Sequence, residues 1–357
     1  MSSPNDTQLA AADTKTGLSA ALAQNAGSFV GLILPVAIIL ALTLWPTITG
    51  KDITRESIFT IMLSIALASS LNILLGYTGY VSFGHVVFFG LGGYVGFYLM
   101  AVQGWSLWLA MPMGGLAAGL LAFLLGKAIL RLRGGYFALA TIGVNEAMRA
   151  FINNFKPFGG PVGMTLNFQI YKDYGGAARA LSLTFYILAA LTLLIVIISY
   201  LVRTSKFGLG LLAIREDEDA AEVMGVVAPS AKTWAYVLSA ILPGIIGVLF
   251  FFKNGSIEPV PAFRLNFSIE MIVMVMLGGQ GTVLGPIIGG VGYQSLRGFL
   301  LTGVATTGVI YGLNRISAAG EDRWLALVLV VTGALLLVPA IRHALTHPRP
   351  VIPLAPL

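Results

Sequence analysis

Apolar residues run along this chain in blocks too long for an ordinary globular core. The runs fall near 29–48, 57–75, 83–101, 106–130, 182–202, 233–252, 282–301 and 324–341. Each approaches the roughly 20 residues that an α-helix needs to cross hydrocarbon. Two weaker segments join them. Segment 136–152 holds Asn145, Glu146 and Arg149, and segment 267–277 is apolar apart from Ser268 and Glu270 before running into Gly-Gly-Gln-Gly. Together they predict an all-α polytopic membrane protein of about ten transmembrane helices. Residues 29–341 form the membrane domain, between a polar N-terminal tail at 1–28 and a C-terminal tail at 342–357.

One apolar block breaks the helical pattern. The stretch "LGYTGYVSFGHVVFFGLGGY", residues 75–94, contains six glycines. Each costs about 1 kcal/mol against alanine in a helix interior. Gly76, Gly79 and Gly84 stand too close together for one packing stripe, so the spacing predicts a broken helix or tight turn over 76–84. Two uses of such a break stay open: close helix packing around a turn, or backbone lining a protein-enclosed pathway. His85 divides the same way, between bonding a backbone carbonyl at a helix crossing and touching a substrate. The candidate pathway residues are Asn72, Gly79, Ser82, His85, Tyr94, Glu146, Gly278 and Gly281. Asn72, mid-helix, is expected to bond across to a neighbouring helix, Glu146 to pair with Arg149 one turn on, and Glu270 to cap a helix start.

An internal echo accompanies the break. "LGYTGYV" at 75–81 and "LGGQGTV" at 277–283 share L-G-x-x-G-x-V. Either a parallel repeat or chance among 43 glycines accounts for it.

Composition supports the membrane reading: 57% of residues are hydrophobic and 10% charged, against roughly 25% charged in soluble domains. The charge of +6 is scattered and fits loops beside lipid headgroups, with no basic patch for nucleic acid. The absence of cysteine excludes disulfides and thiolate chemistry. His343 and His347 have chelating spacing but stand in the tail before Pro348, so no metal or other cofactor is expected. There is no G-x-x-x-x-G-K-[ST] and no nucleophile elbow, and the GG-containing loops carry no basic residue for a phosphate. The chain is expected to be no enzyme and to hydrolyse no ATP by itself. Lysine and arginine divide almost evenly between the two sides of a ten-span chain, so loop charge does not orient it.

The strongly charged segment is 203–232. Within it "SKFGLGLLAIREDEDAAEVMGV" predicts a short amphipathic helix over 213–225, with acids 216–219 early in the helix and Gly225 as its stop. Its expected face combines Ala220 and Ala221 with the charges Arg215, Glu216 and Glu218; if Glu218 lies at the rim of that face, its charge is expected to matter less. A rigid helix with a small face suits docking to a partner; a solvated charged loop is the plainer alternative.

These stretches together resemble the second, longer permease type of branched-chain amino-acid importers driven by ATP-binding-cassette subunits. The matching segments are "GYTGYVSFGHVVFFGLGGY", "GGYFALATIGVNEAMR", "GGPVGM", "SKFGLGLLAIREDEDAAEVMG" and "SIEMIVMVMLGGQGTVLGPIIGG", which cover most of residues 70–290. Related urea and amide permeases share the architecture; the "REDEDAAE" wording favours the amino-acid branch. Pro243, "GGYVG" and the segment 302–322 depart from the family pattern. The resemblance implies that 203–232 is a cytoplasmic loop coupling to an ATPase through Arg215, Glu216, Asp217, Glu218, Ala220, Ala221 and Gly225. It further implies a bacterial inner-membrane protein with both termini cytoplasmic and 153–181 external. Its partners would be a second permease subunit, two ATPase subunits, an external substrate-binding protein and the lipid bilayer. A secondary transporter or channel would need ion-coupling residues at mid-span, in which this chain is poor. A membrane-embedded enzyme would need a catalytic constellation that is missing.

Overall fold

The structure, a computed structural model, describes residues 31–48 and 52–302. The chain divides into two compact units, 1–292 and 293–357, and everything below concerns the first. Its helices are α1 (Gly31–Ile48), α2 (Asp52–Thr78), α3 (Val86–Ala101), α4 (Leu107–Ile129), α5 (Gly135–Asn154), α6 (Ala177–Thr204), α7 (Lys206–Glu216), α8 (Glu218–Val223), α9 (Ala228–Asn254), α10 (Pro259–Ala262), α11 (Leu265–Gly278) and α12 (Gly285–Thr302), the last continuing into the second unit. Two short strands, β1 (Met164–Thr165) and β2 (Ser256–Ile257), pair antiparallel.

Six stretches of the described residues are long and apolar enough to cross a membrane: Gly31–Ile48, Arg55–Thr78, Leu107–Ile129, Ala177–Thr204, Ala228–Asn254 and Pro259–Gly278. The expected break is present but narrower than 76–84 at its start, since α2 stays helical through Thr78 and the run at 83–101 becomes helix only at Val86, leaving α3 with 16 residues. Segment 136–152 is helical as α5 but is not among those six. The run at 324–341, both tails, and His343 and His347 lie outside the described residues.

Burial ranks the helices. The window of α2 is 89% buried, and Ile65, Ala66, Leu71, Asn72 and Leu75 have no exposure. It is the central helix, packed by α6, α9 and α11. In α4, Leu116, Leu120 and Leu124 are exposed while Ala118 and Ala122 are fully buried. An apolar exposed stripe four residues apart is what lipid-facing helix surface requires. Helices α3, α4 and α9 approach closely because glycine removes the side chain at the crossing: a Cβ at Gly92 would stand 2.4 Å from the Gly244 Cα, and one at Gly247 would stand 2.1 Å from Phe89 O. This is small-residue packing.

Helix ends follow local chemistry. Ser205 accepts from Gly208 N at the start of α7, Pro229 stands in the first turn of α9, and Gly255 (φ 72°) ends that helix in the left-handed conformation. Segment 153–181 is ordered by short 3-10 turns and by β1. Tyr171 donates to Phe252 O at 2.7 Å, which lays the segment against the last turn of α9.

Candidate functional site: a charged corner tied to two glycine turns

The two glycine-rich turns meet. Both copies of the sequence echo end a helix, the buried α2 and the more exposed α11, and the corresponding glycines share a left-handed φ, Gly79 at 77° and Gly281 at 76°. Side chains with a Cβ rarely adopt it. Asn72, fully buried, bridges the copies: its Nδ2 donates to Thr282 O at 2.9 Å and its Oδ1 accepts from Gly281 N at 3.0 Å. Gln280 Nε2 donates to Leu75 O at 2.8 Å. The two copies of the echo thus meet in space. Asn72 makes the cross-helix bond that the sequence predicts.

Arg215 enters this junction from the charged segment. Its Nη1 donates to Gly76 O at 2.9 Å. The main-chain carbonyls of a helix's last turn lack intrahelical partners, and here a guanidinium satisfies one at the negative end of the α2 dipole. No local sequence feature places a basic residue at these glycines; the fold delivers it.

The charged segment itself differs from the expected single helix over 213–225. The helix breaks at Asp217 (φ −156°), where α7 ends and α8 begins. Asp217 accepts from Asp219 N and Ala220 N at 2.9 and 3.0 Å, a cap for α8 that replaces continuation of α7. An Asp followed by two acids suits a helix start better than a helix interior. The result is a corner, with Glu218 and Asp219 in the first turn of α8.

One further expectation is corrected here, and one left open is decided. Ala221 is 3% exposed and packs inward, so it offers no face to a partner, whereas Ala220 is exposed. Nor does Glu218 stand at a rim. Its carboxylate accepts from Lys232 Nζ at 2.6 Å and from Tyr80 OH at 2.8 Å. Lys232, buried at the start of α9, also donates to Tyr80 OH at 2.9 Å and Leu130 O at 3.1 Å, which occupies all three ammonium protons. Arg133 approaches Glu218 at 3.7 Å and forks onto Asp219 at 2.8 and 3.2 Å. Burial raises the Glu218 carboxyl, but the bonds from Lys232 and Tyr80 and the nearby Arg133 charge outweigh it and hold the group below its ordinary value. Arg133 likewise lowers Asp219. Tyr80 belongs to the turn after α2. The charged corner therefore holds the glycine break twice, through Arg215–Gly76 and Glu218–Tyr80. Lys232 carried a readable signal, an ionisable residue opening an apolar run. Tyr80 and Arg133 carried none.

The outward surface of the corner mixes exposed apolar side chains with the exposed acids Asp219 and Glu222. Val223, Met224 and Val227 are 87%, 85% and 69% exposed, and Gly225 (φ 90°) stops α8 among them as expected. Arg215 and Glu216 are exposed along α7.

The other candidates separate. His85 is fully buried; its Nε2 donates to Ser239 O on α9 at 3.0 Å, the helix-crossing reading. Ser82 is buried and lies beside Tyr236. Tyr94 is buried on α3 and stacks on Phe263 with ring centres 6.0 Å apart. Gly278 is where α11 meets α12, since a Cβ there would stand 1.7 Å from Gly285 O. Glu146 pairs with Arg149 at 2.6 Å, with both side chains nearly half exposed; it stands apart from the junction. Among the described residues no cluster of His, Asp and Glu could hold a metal ion.

Known proteins resemble this chain over most of its length. It is 30% identical over 276 residues to the high-affinity branched-chain amino acid transport system permease protein LivM of Escherichia coli (strain K12), covering 71% of this chain and 64% of that protein. The LivM of Salmonella typhimurium is 29% identical over 72% of this chain and 65% of its own length. The probable branched-chain amino acid transport permease protein LivH of Methanocaldococcus jannaschii is 24% identical over 73% and 86%. The chain thus spans just under two thirds of the two LivM proteins. No solved structure matches it at a significant level. A family model described as branched-chain amino acid transport system / permease component matches residues 53–339, and this chain belongs to that family.

Proposed function

We propose that the protein is the membrane permease subunit of an importer for branched-chain or other neutral amino acids, powered by separate ATPase subunits. It performs no catalysis. At the bacterial inner membrane it pairs with a second permease subunit, receives substrate from an external binding protein, and docks one of the assembly's two ATPase subunits. The family membership and the LivM and LivH relatives support the substrate class. About ten spans, with cytoplasmic termini and 153–181 outside, put the corner on the ATPase side.

The observation that carries the mechanism is the double tie between corner and break. Closure of the ATPases on ATP displaces α7 and α8. Arg215 transmits that displacement to the end of α2, and Glu218 to the following turn. Because Asn72 and Gln280 bind the second glycine turn, α11 is drawn into the same movement. Glycine turns accommodate it, since they cross φ/ψ space at little steric cost. Packed helices then switch between two arrangements and do not deform continuously.

The test is uptake by the assembled system in proteoliposomes. Leucine accumulates on ATP addition, faster than urea or small amides. Uptake of urea in place of leucine would assign the chain to the amide branch, and uptake without ATPase subunits would make it a secondary transporter.

A further inference from the structure

At the end of α9 remote from Lys232, about 30 Å away along the helix, lies a cavity of about 260 Å³. Four phenylalanines line it: Phe89 of α3, Phe250 and Phe251 of α9 and Phe267 of α11. Phe89 holds them together, with ring centres 5.4, 5.4 and 5.8 Å from those of the other three. Glu258 and Arg264 complete the wall. Both are exposed, and among the described residues neither forms an ion pair, with each other or with any other group. Opposite charges that share one cavity and stay apart leave room for a molecule that carries both.

Helix ends reinforce the separation. Arg264 stands at the N-terminal boundary of α11, whose dipole favours an anion, and Asn254 ends α9, whose dipole favours a cation. Resting on the importer reading above, we propose that this cavity is a binding station for the zwitterion of an apolar amino acid. The guanidinium of Arg264 takes the carboxylate in a two-pronged bond. Glu258 takes the ammonium. The aliphatic side chain lies on the phenylalanine cluster, where its apolar area leaves water. The volume, just under the roughly 300–1,000 Å³ of drug-sized ligand sites, suits a solute of this size. Urea has neither charge nor an apolar group and gains nothing from this arrangement.

The chain has no cysteine, so Asn254→Cys places a single thiol in the wall of the cavity. In the assembled importer in nanodiscs, L-leucine is expected to slow its maleimide labelling several-fold. Leucinamide, which lacks the carboxylate, and 4-methylpentanoate, which lacks the ammonium, are expected to leave it unchanged. Arg264→Gln and Glu258→Gln, both at exposed positions, should each lower leucine uptake at limiting substrate about tenfold or more, a charged hydrogen bond's share. They should keep wild-type yield and leucine-independent ATP hydrolysis. Equal protection by all three compounds would overturn the zwitterion reading. Normal uptake by both variants with no protection would overturn the station while leaving the importer intact. Failure of the unmodified system to import leucine would instead overturn the importer reading.

Discussion

Arg215 Nη1 lies 2.9 Å from Gly76 O, joining residues 139 apart in sequence. A carbonyl that α2 cannot satisfy in its own last turn is satisfied by the element proposed to receive force from the ATPase. The bond caps α2, and in the proposed coupling it is the link that carries movement to that helix.

The glycines of this junction should resist alanine in a graded way. Gly79→Ala meets the left-handed penalty of about 1–2 kcal/mol with space beside it, the nearest atom being Arg215 Cγ at 3.4 Å. Gly281→Ala meets the same penalty and also places its Cβ 2.6 Å from Arg215 Nη1 and 2.9 Å from Gly76 O. Thermal unfolding of purified variants should rank wild type above Gly79→Ala above Gly281→Ala. Reversal of that order would mean that the turns do not meet at Arg215.

The Glu218–Lys232 pair should behave as a buried ion pair. Removing one partner leaves an uncompensated charge, at about 3–5 kcal/mol. Lys232→Met or Glu218→Gln alone should therefore destabilise more than the double variant does. Thermal unfolding of the four proteins gives the cycle, and additive losses would show that the side chains are uncoupled.

Acid should loosen the corner. Glu218 in the folded chain has a value below its ordinary 4.5, so its contribution is fully present above pH 4.5 and is lost as pH falls through the lower folded value. A spin label at Val223→Cys should keep constant mobility from neutral pH down to the ordinary carboxylate range and become mobile only below it. Release of the label between pH 5 and 7 would assign the corner to a different group.

Much of this was legible in the sequence, for physical reasons. The long apolar runs gave the helices, because a bilayer demands length and apolarity together. Glycine density located the break at Gly79, and the echo located its partner at Gly281. Glu146–Arg149 is local, and the predicted pair formed. What the sequence withheld was long-range. Arg215 finds Gly76, and Tyr80 finds Glu218, only through the packing of α7 and α8 on α2. Ala221 stands seven residues, about two turns, after the buried Ile214, so even a helix drawn straight through 213–225 sets it on that face; that the face is buried shows only once α7 and α8 are packed. The placing of Glu258 and Arg264 in one cavity beside the phenylalanines is equally invisible, since α3, α9 and α11 must assemble first.

In the proposed assembly the docking contact falls on the exposed Val223, Met224 and Val227 and not on the buried Ala221. Met224→Glu should abolish ATPase co-purification, since a charge in a packed apolar contact has no partner, while the permease inserts normally. Ala221→Trp should instead destabilise the permease itself by overpacking. ATPase retention by Met224→Glu together with loss in an otherwise stable Ala221→Trp would restore the alanine face.

The coupling account is tested most directly by the number of leucine molecules imported per ATP hydrolysed in proteoliposomes carrying Arg215→Ala. Arg215 is exposed along α7, so the variant should assemble with its ATPases and hydrolyse ATP. With the link to Gly76 cut, import per ATP is expected to fall about tenfold, the effect of losing one charged hydrogen bond of roughly 1.5 kcal/mol. Arg215→Lys should recover part of it. An unchanged ratio in Arg215→Ala would contradict the claim that force reaches α2 through this residue.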